Sequence, residues 1–483
     1  MALSLFFYDL ETSGISPREA RIMQFAGRRT DLNMKPIGEP YNYLIKMTPD
    51  ILPDPEAILL TGITPQATIA DGLTEAEFLK IFTKDIATAE TVFVGYNTIR
   101  FDDEFMRFLH YRNFYDAYEW HWADKRGRWD LLDVVRMTRA LRPDGIKWPV
   151  DDNGKATNTL VGLSTMNDLE HSHAHDALSD VDATIALAAL LQAQQPKLFE
   201  YLFAHRDKKS VEQLVLNDKP FVYTSGKYPA EFDKTTVVQS VCSHEKKGGA
   251  VVYDLRHDPI PFTKMSPKEL ADMWQHYCRE WPCPHPKLPV KTLQFNRCPA
   301  VAPISVLNDD NQKHIGLSID TINKNLAILN ANPEFKNNIS KAVVLMDDKR
   351  QASSAQQEPV DVDNQLYDGF VSAAGDKTSM SVIRASSLLD IAELEPAFKD
   401  QRLNNLLPLY KARNYPSELS TDDIIKWDEF RQQRLLGAGN SSRAAKYFEK
   451  LGKLAEGSNL TPERQFILEE LQLYGQSVLP TID

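Results

Sequence analysis

Two carboxylates, Asp9 and Glu11, stand at the end of the short apolar run SLFFYDL that begins at Ser4. Residues two apart on a strand point to the same face, so both acids project together from its carboxyl end. Like charges this close at the edge of an apolar strand are unfavourable unless a cation lies between them. Hard oxygen donors suit Mg²⁺ or Mn²⁺ better than zinc. Taken alone, D-x-E also fits a strand that ends in solvated acids at a turn.

A second stretch, Gly95-Tyr96-Asn97-Thr98-Ile99-Arg100-Phe101-Asp102-Asp103, reads as a buried strand that turns at Asn97 and opens a helix at Asp102. Asp102 can then face the crevice at the carboxyl end of the sheet, although the helix dipole alone also favours an acid there. Asp103 and Glu104 read as solvated capping charges. A third stretch runs from His175 to Asp182 and opens a long Ala/Leu-rich helix. Asp180 adds a carboxylate from a helix that packs through Ala183, Leu187 and Leu190. His175, five residues earlier, can bend over the same spot. His171 and His173 read as solvated, and Asp182 as facing solvent.

The elements that must position these groups alternate between strand and helix patterns over the first 190 or so residues. Ser4–Leu10 reads as a central strand, with Arg21–Arg29 and Tyr41–Ile45 as its hairpin or meander neighbours. Thr74 followed by Glu77 is a capping-box helix start. Thr91–Tyr96 is another buried strand, and Trp129–Arg142 begins as a strand and turns helical. Ala174–Gln195 is the long helix, closed by Pro196. From about Val215 to Val344, short β-rich runs punctuated by Gly and Pro suggest a small antiparallel barrel or sheet. Gln351–Val362 is polar and reads as a linker, and Leu366–Leu479 is almost wholly helical in pattern. The expected domains are therefore α/β over 1–196, β-rich over 197–350 and helical over 351–483.

A net charge of −12 over 483 residues argues at first against a nucleic-acid partner. The distribution answers that. Residues 1–196 hold 19 Lys+Arg against 29 Asp+Glu, residues 197–350 hold 22 against 18, and residues 351–483 hold 14 against 20. Acid is concentrated where bound cations would offset it, and the middle segment is basic. The four cysteines, Cys242, Cys278, Cys283 and Cys298, match no common zinc spacing and read as reduced, buried thiols. No apolar run reaches the roughly 18 residues that span a bilayer, and the start lacks a signal-peptide pattern, so a soluble, cytoplasmic protein is expected.

With these motifs in this order, the sequence resembles the DEDD exonuclease superfamily, whose fold is ribonuclease-H-like. It matches the histidine subclass, because the position four residues before Asp180 is Asp176 rather than tyrosine. FYDLETSGISPREARIMQFAGRRTD, GYNTIRFDDEFMRFLHYRNFYDAY, AHDALSDVDATIALA, PVKTLQFNRCPAVAP, DNQLYDGF and YKARNYP are similar to the bacterial exonuclease I family across nearly the whole chain. The resemblance implies an exonuclease domain, an SH3-like β domain and an α-helical C-terminal domain around single-stranded DNA. One departure is Asn158-Thr159-Leu160, where the family commonly carries an arginine that contacts the 3′ end.

The implied chemistry is 3′→5′ hydrolysis to 5′-mononucleotides, in DNA repair and recombination. Two Mg²⁺ ions, with Mn²⁺ able to substitute, are held by Asp9, Glu11, Asp102 and Asp180, and His175 is the general base. Glu11 is a candidate DNA contact, as are Arg107, Trp122 and Arg136, the last three from the stretch Arg107–Arg142, dense in arginines and aromatics. Several of those aromatics, Trp129 among them, belong to the core. His205–Lys209, Lys246 and Lys247 are candidate phosphate tracks. The resemblance further implies a monomer that binds the acidic C-terminal tail of single-stranded DNA-binding protein, with Arg142 and Tyr201 as a candidate pocket. RNA ends as substrate, or a DNA-binding scaffold with an inactive site, are the competing readings.

Overall fold

The computed structural model describes residues 3–171, 176–275, 287–354, 361–386, 388–391, 393–457 and 461–480. The opening apolar run forms β1 (Ser4–Thr12), which pairs antiparallel with β2 (Ile22–Thr30), itself antiparallel to β3 (Tyr41–Leu44). On its other edge β1 runs parallel to β4 (Thr91–Gly95). β5 (Gly127–Asp130) completes the sheet order β3-β2-β1-β4-β5, so β1 is central as its two-sided apolar pattern requires. The helices of this region are α1 (Pro55–Thr61), α2 (Pro65–Asp71), α3 (Glu75–Ile81), α4 (Asp102–Arg112), α5 (Leu131–Leu141), α6 (Leu160–Met166) and α7 (Ala177–Gln194). The capping box at α3 forms as expected, with Thr74 and Glu77 each accepting from the other's backbone N–H.

The chain divides into two compact units, one built of Met1–Gly127, His171–Asp182 and Pro359–Asp483, the other of Arg128–Glu170 and Ala183–Glu358. In the first, Phe6, Tyr8 and Leu10 leave one face of β1 and enter a core with Phe25, Phe78, Phe82, Phe93 and Trp120. Each such fully buried ring contributes about 1.5–3 kcal/mol. The C-terminal helices share two further cores with this region. Phe108, Tyr111 and Phe114 pack with Leu403, Leu406 and Tyr410, and Met23, Met47 and Ile58 pack with Tyr447, Leu451 and Leu471.

Buried charges tie the same parts together. Asp363 binds Arg21 at 2.8 Å, Arg413 at 2.7 Å and Arg434 at 3.1 Å, and Arg413 also binds Asp50 at 2.7 Å. Burial opposes ionisation of Asp363, but Arg413, Arg21 and Arg434 outweigh it and hold the carboxyl well below the usual range.

The second unit carries an antiparallel sheet in the order β10-β6-β7-β8-β9. Its strands are β6 (Phe221–Thr224), β7 (Thr235–His244), β8 (Gly249–Asp254), β9 (Val290–Gln294) and β10 (Ala300–Pro303). Helices Pro267–Gln275, Asp309–His314, Ile319–Ala331 and Pro333–Ser354 accompany it, within a segment whose sequence reads as β-rich. The last of them runs into the start of the expected linker. Among the described residues, no helix is long and apolar enough to cross a membrane.

Candidate metal centre

The alternation of β1 that sends Tyr8 and Leu10 into the core sends Asp9 and Glu11 to the opposite face. Asp9 lies opposite Ala26 and Glu11 opposite Gln24 of β2, and a bulge between Glu11 and Thr12 ends the regular pairing directly after the second acid. β4 delivers the next group. At Gly95 a Cβ would lie 2.0 Å from Thr98 Cγ2 and 3.0 Å from the Tyr8 carbonyl oxygen, so glycine is what lets the turn fold against β1. Asn97 follows in the left-handed region at φ 69°, which this residue type tolerates. The chain then places Asp102 at the first residue of α4, where it is buried.

The third motif enters at α7. Asp176 Oδ1 accepts the Ser179 N–H at 2.9 Å and caps the helix, and Asp180 lies one turn in. One carboxylate oxygen each from Asp9, Glu11 and Asp180 lies within 4.8 Å of the others. Burial first, then the charges of Asp102, Glu11, Asp180 and Asp176, push the Asp9 carboxyl well above its ordinary range. Burial, Asp180 and Asp176 raise Glu11 to about 8. Three converging hard oxygen donors under mutual repulsion are a donor set that fits a divalent cation.

Three expectations for this neighbourhood change. His171 is not solvated: its side chain is 5% exposed and its Nε2 lies 2.5 Å from Asp180 Oδ1. Asp103 is not a solvated cap either, because it is buried and accepts from the Tyr8 hydroxyl at 2.6 Å. Glu104 pairs with Arg107 and accepts from the Tyr367 hydroxyl. Asp176 reaches the centre electrostatically, with no expectation set for it; the sequence signal was its place just before an Ala/Leu-rich helix, which marks a cap. Asp182 faces solvent as expected and pairs with Arg28 at 2.9 Å. His173 and His175 lie outside the described residues.

The candidate DNA contacts differ in what they present. Trp122 is 61% exposed. Arg107 is buried, paired with Glu104 at 2.5 Å and set over the Tyr118 ring. Arg136 is mostly buried and pairs with Asp133 at 2.7 Å. Trp129 is a core residue between Phe199 and Phe203. Of the run His205–Lys209, Arg206 packs over Phe203, Asp207 caps the next helix, and Lys208 and Lys209 are exposed. Arg142 donates to the Leu141 and Val306 carbonyls and to Asn311 Oδ1, and Tyr201 stacks on His205. Thr159 caps α6 by accepting the Gly162 N–H.

Three family models match the chain: an exonuclease model over residues 6–188, an exonuclease I SH3-like domain over 206–343 and an exonuclease I C-terminal domain over 360–478. Exodeoxyribonuclease I of Haemophilus influenzae is 36% identical over 480 residues, covering 99% of each chain. The zinc-ion-bound form of an E. coli exonuclease I–ssDNA complex has a TM-score of 0.89 at 35% identity, covering 99% of this chain and 100% of that one. An SSB/exonuclease I structure in complex with an inhibitor has a TM-score of 0.88 at 34% identity, with the same coverage. On these matches the chain belongs to the exonuclease I family and is an exodeoxyribonuclease, a hydrolase with a ribonuclease-H-like exonuclease domain, an SH3-like domain and a helical C-terminal domain.

Proposed function

We propose that this chain degrades single-stranded DNA from its 3′ end, releasing 5′-mononucleotides by hydrolysis at two Mg²⁺ ions, with Mn²⁺ able to substitute. The observation that carries this reading is the convergence of Asp9, Glu11 and Asp180 within 4.8 Å, on a fold whose relatives include an exonuclease I–ssDNA complex. Asp9, Glu11 and Asp180 hold the ions, and Asp102 joins them directly or through a water. Bound there, the ions would lower the pKa of an attacking water and would stabilise the leaving 3′ oxygen. His175 accepts the proton of that water as general base. Glu11 also orients the terminal nucleotide. Trp122 offers a stacking face, and Arg107 and Arg136 counter phosphate charge once released from their acidic partners.

The same reading divides the chain into an exonuclease domain over 1–196, an SH3-like domain over 197–350 and a helical domain over 351–483. It makes the protein a cytoplasmic monomer of DNA repair and recombination. Its partner is the acidic C-terminal tail of single-stranded DNA-binding protein, received near Arg142 and Tyr201. The supporting observation is the SSB/exonuclease I structure among the relatives.

Matched DNA and RNA oligomers, labelled at the 3′ end and digested in Mg²⁺, test the substrate and polarity together. Stepwise release of labelled 5′-mononucleotide from DNA is expected. Equal release from RNA, or internal fragments as first products, overturns the reading.

A further inference from the structure

We propose that His171 is a positioning residue of the metal centre, holding the Asp180 carboxylate in the orientation that lets it ligate. This rests on the reading of Asp9, Glu11 and Asp180 as metal ligands. Asp9 and Glu11 leave a central strand paired on both sides, so the sheet itself fixes their direction. Asp180 comes from a helix instead. It projects from the first turns of α7, and its carboxylate can rotate about its own side-chain bonds.

The His171 ring is one group that orients that carboxylate. Its Nε2 lies 2.5 Å from Asp180 Oδ1, where a ring N–H donated to one carboxylate oxygen sets the plane of the group. The ring is 5% exposed, so packing holds it and the bond is made at little further ordering cost. His171 lies nine residues before Asp180 and four before the proposed base at His175. Ligating carboxylates are commonly held by such outer hydrogen bonds, and losing one weakens metal binding.

The test is calorimetric titration of Mn²⁺ into the full chain without DNA, for wild type, His171→Ala, His171→Gln and Asp180→Ala, with thermal melts in EDTA to confirm folding. His171→Ala is expected to weaken Mn²⁺ binding by about 10-fold or more. His171→Gln, whose side-chain NH₂ can donate to the same oxygen, is expected to stay within about 3-fold of wild type. The Mg²⁺ concentration for half-maximal nucleotide release should rise in the same order. If His171→Ala binds Mn²⁺ like wild type while Asp180→Ala does not, the positioning role is overturned and the metal site stands. If Asp180→Ala also binds like wild type, the metal-site reading itself fails. Equal weakening in both His171 variants would mean lost packing rather than a lost hydrogen bond, and also overturns the proposal.

Discussion

The Tyr8 hydroxyl donates to Asp103 Oδ1 at 2.6 Å, joining the residue just before Asp9 to the residue just after Asp102. Both partners are buried, and they lie 95 residues apart in sequence. The bond links β1 to α4 and thereby fixes the distance between two motifs of the proposed site. Tyr8→Phe is expected to cost about 1–3 kcal/mol, because it removes a buried donor from a buried carboxylate. Urea unfolding measures that cost. Nucleotide release should slow as well, since a small displacement between the two motifs misaligns the centre. A variant with wild-type stability and rate would show that the link is incidental.

The raised carboxyls give the metal-free protein a definite pH dependence. Glu11 stands at about 8 against an ordinary 4.5, raised by burial, Asp180 and Asp176, and Asp9 moves in the same direction. Between those values the folded chain keeps a proton that the unfolded chain has released. Its contribution is therefore complete below the unfolded value and is lost as pH climbs through the folded one. In EDTA, stability should fall from about pH 4.5 to about pH 8, and saturating Mg²⁺ should restore most of it at the upper end. Between about pH 4 and about pH 6.5, buried His110, lowered by burial to about 4, adds a slope of the opposite sign that offsets part of this decline. Denaturant melts of wild type and Glu11→Gln check the assignment, because the variant should show a shallower decline, with the share due to Asp9 remaining.

The arginine–aspartate network predicts a stability effect without any change to the proposed site. Asp363→Ala leaves Arg21, Arg413 and Arg434 without their shared buried carboxylate. The expected cost is about 3–5 kcal/mol. Because its carboxyl is held low, the contribution of Asp363 is present above the unfolded carboxylate pKa and is lost as pH falls toward the folded one. Thermal melts at neutral pH should show the full loss in the variant, with a gap to wild type that narrows in acid.

Trp122, at 61% exposed, can change without disturbing the core. Trp122→Ala should weaken binding of a single-stranded oligomer by roughly 10-fold, in line with about 1–3 kcal/mol for a stacked base, and leave the melting temperature unchanged. Arg107→Ala should lower the melting temperature, because its guanidinium is buried against Glu104 and Tyr118. Fluorescence anisotropy and thermal melts on the two variants separate these outcomes.

The parts of this molecule that sequence makes plain are those governed by local periodicity. Asp9 and Glu11 could be placed together because a strand alternates, and the start of α3 because Thr74 and Glu77 form a capping box. Asp103, His171 and Glu104 escaped because their partners, Tyr8, Asp180 and Tyr367, reach them only through the tertiary fold. The helices Ile319–Ala331 and Pro333–Ser354 were hidden by neighbouring runs of β-branched residues and turns. Thr159, which stands where the resemblance leads one to expect an arginine, caps α6, a role the sequence alone did not give.

Diffraction from a crystal soaked in Mn²⁺, recorded at the manganese absorption edge, tests the central claim most directly. The account predicts anomalous peaks bounded by the carboxylates of Asp9, Glu11 and Asp180. A crystal of active protein that shows no peak there at saturating Mn²⁺, or shows it only elsewhere, would contradict it.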